Sequence, residues 1–251
     1  YALALTNFIA QSDTPMTVGL QGEWGTGKTS MMYMLREQLT GMNIATSWVN
    51  TWEYSMFRGA AETTPAVLRG MLEKLIERCE SEGQWTLKDE SKQTMKNVGK
   101  FFTRLGNQAI ANKTGLDLMD AASGDDPDAV QAEIADVKRD IKEVIQKLLD
   151  DPDNKYQRVV FFVDDLDRIP PTDAVEVLEA LKNMFDIPNC IFVLAIDYEV
   201  VVKGLESKFG EKTEENEREF RSFFDKIIQV PFSMPTGAYT IDELMQDKLS
   251  G

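Results

Sequence analysis

Residues 16–39 read MTVGL, then QGEWGTGKTS, then MMYMLREQL. A short apolar run enters a glycine-rich turn, and apolar residues at helical spacing follow it. That order is a buried strand, a loop and a helix. Gly22-Glu23-Trp24-Gly25-Thr26-Gly27-Lys28-Thr29 fits the spacing G-x-x-x-x-G-K-[ST]. The glycines let the backbone turn its N–H groups around a phosphate, and the helix start adds partial positive charge. Lys28 is expected to reach the β- and γ-phosphates, and the Thr29 hydroxyl to ligate Mg²⁺. Ser30 completes the candidate loop. An ordinary tight turn would also satisfy the bare pattern. The strand before it and the helix after it are the context that favours phosphate binding.

Such a loop needs an acidic partner on a second strand. VVFFVDDLDR, residues 159–168, supplies one. Asp164 directly follows the apolar run and is the expected Mg²⁺ ligand. Asp165 occupies the place of a carboxylate that polarises an attacking water. Strand-end capping is the plainer alternative for both. Asp167 and Arg168 read as a local ion pair that shapes the turn. In FVLAID, Asp197 stands where a polar residue senses the γ-phosphate, or caps the next helix.

The remaining runs complete an α/β pattern. Strands are expected at residues 16–20, 44–50, 158–163, 190–196 and 227–232. Helices are expected at 29–39, 65–79, 129–149, 172–184, 199–209 and 214–226, with Gly41 ending the first and Thr172 capping the fourth. The strands are mostly uninterrupted apolar runs, the mark of a parallel sheet covered on both faces. Residues 81–128 show no strand pattern, so a helical insertion is expected at about 83–150. Within it Lys88, Lys92, Lys96, Lys100 and Arg104 recur every fourth residue. A solvated amphipathic helix explains that stripe, and so does a surface for anionic lipid, nucleic acid or an acidic partner.

Totals remove several classes of chemistry. The chain has no histidine, which excludes His-based triads, bases and zinc sites. Its formal net charge is -15, so nucleic acid is expected at most through the local basic stripe. Cys79 and Cys190 form no C-x-x-C pair, which fits a reducing, cytoplasmic setting. The longest apolar runs fall far short of the roughly 18–20 residues that span a bilayer. No integral membrane segment is therefore expected. Both ends read as cut through or beside helices, so the 251 residues are expected to be one domain from a longer protein.

Other segments bear on the base and on a neighbouring protomer. Asn154-Lys155-Tyr156-Gln157 lacks the Asp of a guanine-reading N-K-x-D motif, so adenine is favoured. Leu5 and Phe8 are candidates to flank it, or core residues. Arg218 and Arg221 precede the last strand. Arg221 is a candidate arginine finger for a neighbouring protomer's γ-phosphate, or solvated charge.

Taken together, these segments resemble the KAP family of P-loop NTPases. GEWGTGKTS resembles its phosphate loop, including the Glu-Trp pair. VNTWEY resembles its Asn-x-Trp segment, VVFFVDDLDR its Walker B strand, and FFDKIIQVPFSMP its last strand. The resemblance spans most of residues 1–251 apart from about 83–128. It implies a three-layer α/β/α P-loop NTPase fold with a five-stranded parallel sheet in the order 5-1-4-3-2. It implies ATP and Mg²⁺ as cofactors, with residues 22–30 on the triphosphate, Asp164 on Mg²⁺ and Asp165 as the catalytic carboxylate. It further implies self-association and a regulatory ATPase acting on an attached effector or a partner outside this chain. Many members carry transmembrane helices before Walker B, where this chain is polar. Bacterial soluble members are associated with phage exclusion and defence, an expectation this chain shares. An ATP-bound switch without turnover and a small-molecule kinase are the competing readings. The kinase reading lacks arginines for a lid, Arg104 being one of few in the middle region. Trp24 supplies no phosphate chemistry, and its indole is expected to pack against the domain or a neighbour.

Overall fold

The computed structural model describes residues 1–56, 60–81, 127–152, 155–182, 184 and 186–235. The basic stripe at residues 88–104 and Asn154 lie outside them. In chain order the elements are α1 (Ala2–Gln11), β1 (Met16–Gln21), α2 (Lys28–Thr40), β2 (Ala45–Asn50), α3 (Thr51–Ser55) and α4 (Ala60–Ser81). Then come α5 (Pro127–Asp150), β3 (Val159–Asp164), α6 (Pro171–Lys182), β4 (Cys190–Ile196), α7 (Tyr198–Phe209), α8 (Glu217–Ile227) and β5 (Val230–Ser233).

The five strands form one sheet in the order β2-β3-β4-β1-β5, and every pairing is parallel. This is the expected order 5-1-4-3-2 read from the other edge. Alternation along the strands shows why their sequences are apolar throughout. In β3, Val159, Phe161 and Val163 join the layer formed by α4 to α8, while Val160 and Phe162 face α1 and α2. In β4, Cys190, Phe192, Leu194 and Ile196 face the first layer and Ile191, Val193 and Ala195 the second. Successive side chains point to opposite faces, and here both faces are dry. The result is three layers, α/β/α.

Helix faces follow the same logic. Val67, Leu68, Met71, Leu72, Leu75 and Ile76 make one buried stripe on α4, against β2. Ile141, Val144, Ile145 and Leu148 make another on α5. A fully buried Phe or Leu contributes about 1.5–3 kcal/mol. The many such residues outweigh a few strained turns at the sheet edge, at about 1–3 kcal/mol each.

Several boundaries differ from the sequence expectation for local reasons. α6 begins at Pro171, not Thr172, because proline suits the first helical position. Gly41 stays right-handed at the end of α2, and Asn43 (φ 56°) takes the left-handed position in the turn. α8 starts late because the Asn216 side chain accepts from Thr213 N and donates to Phe209 O and Glu211 O, holding a turn. β5 is shorter, since Ile227 still ends α8. Ile228 follows and packs against Gly19 of β1, where any Cβ would strike it. Among the described residues, no helix is long and apolar enough to cross a membrane.

Candidate nucleotide site

Because all five strands are parallel, their carboxyl ends lie at one edge of the sheet. The phosphate-loop candidate leaves β1 there. Asn50 ends β2 opposite Asp164, which ends β3. β4 runs between β1 and β3 and delivers Asp197 to the same edge.

The loop is built around its glycines. Gly25 and Gly27 hold φ of 85° and 89°, a region that strains any residue with a Cβ. Gly22 is needed for space, because a Cβ there would meet the Thr26 hydroxyl. That hydroxyl donates to Glu23 O at 2.8 Å. Gly27 then starts α2 without any side-chain cap, so the first backbone N–H groups of α2 keep their polarity for an anion.

Thr29 and Asp164 meet across the layers, the Thr29 hydroxyl donating to Asp164 Oδ1 at 3.2 Å. Asp165 N also donates to that oxygen, at 2.9 Å. Thr51 Oγ1 donates to the Asp164 carbonyl at 2.9 Å, fixing the strand end. Burial pushes the Asp164 carboxyl above its ordinary value, and the neighbouring Asp165 and Asp167 charges add to that, while the two hydrogen bonds oppose it. A buried carboxylate under that load gains from a cation. Among the described residues no group of three or more His, Cys, Asp or Glu forms a metal cage. One hydroxyl and one carboxylate suit Mg²⁺, which takes oxygen ligands and fills its shell with water and phosphates.

Asp165 is held by both oxygens. Asn50 Nδ2 donates to Oδ2 at 2.7 Å, and Arg168 Nε lies 2.6 Å from Oδ1. Its backbone is left-handed (φ 59°), a state that aspartate tolerates better than most residues. The Asn50 carbonyl oxygen accepts from Trp52 N and Glu53 N, capping α3. One side chain therefore ties Asp165 to α3. Asp167 and Arg168, expected to pair with each other, pair elsewhere: Arg168 with Asp165, and Asp167 with Lys28 at 3.0 Å. The left-handed turn at Asp165 directs the two side chains to different partners.

The other expected residues make no described side-chain bond to Thr29, Asp164 or Asp165. Asp197 takes the cap reading, accepting from Glu199 N at 3.0 Å. Leu5 is buried against α2 in the core, and Phe8 is exposed. Arg221 has its side chain 72% in solvent and sits 3.6 Å from Glu217. Arg218, Ser30 and Glu23 are exposed. Trp24, expected to pack against the domain or a neighbour, is 77% exposed in the loop, so of the two the domain does not cover it. Asn50, Thr51 and Met234 were not singled out from the sequence as contributors to the site. Met234 is buried against Gly22 and Gly27, and its N–H donates to Gln21 O at 2.8 Å.

No curated protein matches the chain. Among solved structures, one chain titled "Structure of Drosophila ORC bound to GC-rich DNA and Cdc6" aligns over 98% of this chain and 30% of its own length. Its identity is 9% and its TM-score 0.49, too slight a likeness to characterise the chain. The family model described as the KAP family P-loop domain matches residues 1–248, so the chain belongs to the KAP family of P-loop domains.

Proposed function

We propose that this domain binds ATP with Mg²⁺ and hydrolyses it, and that its nucleotide state controls self-association or an attached effector. The observation that carries the reading is the meeting of Thr29 and Asp164, 3.2 Å apart, beside Lys28 and Asp165. Loop N–H groups, the start of α2 and Lys28 would bind the phosphates. Thr29 and Asp164 would hold the cation, which supplies charge neutralisation at the phosphates. Asp165 would orient the attacking water and accept its proton. Arg221, 72% exposed on α8 beside Glu217, would leave that partner to reach a neighbouring protomer. A cytoplasmic place and a part in bacterial anti-phage defence belong to the same proposal.

The test is Asp165→Asn, which keeps ATP binding and loses most phosphate release. No release by wild type, even when oligomeric or joined by its native partner, sinks the hydrolase reading. The second reading, an ATP-bound switch without turnover, draws on Asp165 having both oxygens occupied by Asn50 and Arg168. It expects ATP to change the sedimentation of the protein with no phosphate released.

A further inference from the structure

The Lys28 ammonium has three N–H donors and no acceptor. Each has a protein partner: Gly22 O at 2.8 Å, Glu23 O at 3.1 Å and Asp167 Oδ2 at 3.0 Å. Both side chains of the ion pair are only 7% exposed. A phosphate oxygen can therefore reach this ammonium only by replacing one of the three. The partners are not equivalent. The two carbonyls are neutral and belong to the loop that would wrap the phosphates. Asp167 is anionic, as the phosphate is, and presents the same kind of oxygen to the same donor. Its charge also repels whatever phosphate approaches.

We propose that Asp167 is an intramolecular competitor for the nucleotide's phosphates, a latch on Lys28 that must leave before the triphosphate seats fully. This rests on the loop being the nucleotide site. The turn that carries the latch is fixed at both sides. Arg168 N donates to Asp165 O at 3.1 Å, Arg168 pairs with Asp165, and Leu166 and Ile169 are buried in the core. Release therefore needs only rotation of the Asp167 side chain, with the backbone left in place. The latch sets a threshold: nucleotide must be concentrated enough to outcompete a tethered carboxylate before Lys28 changes partner.

The experiment is calorimetric titration of the protein with a slowly hydrolysed ATP analogue and Mg²⁺. Asp167→Asn keeps the shape and an acceptor oxygen for Lys28 but removes the charge. It is expected to bind about tenfold tighter, the scale of one charge-assisted hydrogen bond no longer contested. Asp167→Glu keeps the charge and stays near wild type. Glu199→Gln removes an exposed charge in the first turn of α7, outside the site and not touching Lys28, and also stays near wild type. Equal or weaker binding by Asp167→Asn overturns the latch and makes Asp167 a support for Lys28. Equal tightening by Glu199→Gln overturns it too, because bulk charge then explains the effect. The readout is binding, so absent turnover leaves the inference standing. Absence of binding by wild type and by Asp167→Asn alike sinks the nucleotide-site reading itself.

Discussion

Asn50 Nδ2 lies 2.7 Å from Asp165 Oδ2, while the oxygen of the same amide caps α3. Asn50 thus aims the carboxylate proposed to handle the attacking water. Asn50→Ala is expected to lower kcat roughly ten- to a hundredfold, the usual cost of a misaimed group. Nucleotide affinity should hold, because Asn50 contacts neither the loop nor Lys28 in any described bond. Loss of the cap costs about 1 kcal/mol of stability. Steady-state kinetics beside calorimetry would check the split. Equal losses in binding and turnover would make Asn50 a plain structural residue.

Gly204 of α7 lies against the first turn of α6. A Cβ there would strike the Pro171 carbonyl and the Val175 side chain. The backbone carbonyl cannot swing aside as a flexible side chain does. Gly204→Ala should therefore destabilise the fold by about 1–3 kcal/mol through overpacking. Thermal melting gives the measure, and an unchanged melting temperature would mean the α6–α7 seam is looser than drawn.

Burial pushes the Asp173 carboxyl above its ordinary value, and the Thr172 hydroxyl only partly offsets it. The folded state therefore holds the Asp173 proton more tightly than the unfolded chain does. Its contribution favours folding below the ordinary carboxylate value and is lost as pH rises through the raised value. At neutral pH the charge is a burden. Asp173→Asn should melt higher than wild type at pH 7, with the gap closing in acid. A gap independent of pH would assign the effect to something other than ionisation.

Burial pushes the Cys190 thiol up to about 12. At pH 8 almost none of it is thiolate, the form that reacts. Native protein should leave Cys190 unmodified by a thiol reagent, and denatured protein should not. Peptide mapping by mass spectrometry separates it from Cys79. Rapid native labelling would show that β4 opens locally.

Local chemistry made the loop and the sheet readable. Gly25 and Gly27 advertise a backbone only glycine holds comfortably, and Lys28-Thr29 follow at fixed spacing. The uninterrupted runs at β3 and β4 followed from cover on both faces, and the α4 stripe from Val67 to Ile76 was legible as helical period. Partner choice was not legible. DDLDR shows three acids and one arginine, and adjacency suggests Asp167 with Arg168. A left-handed residue at Asp165 undoes that pairing, and nothing in the letters marks it. Asn50 likewise carries no sign of its role beyond its place in VNTWEY. Its role depends on β2 lying beside β3 in a register that places it opposite Asp164, a long-range fact. Between alternatives the letters could not choose: Leu5 takes the core reading, and Trp24 is left in solvent, where only a neighbour could cover it.

Met234 gives the end of β5 a mechanical meaning. Its N–H holds Gln21 O, and its thioether side chain lies against Gly22 and Gly27. The strand behind it shares only four register positions with β1. Any shift of β5 against β1 would therefore be passed directly to the two loop glycines.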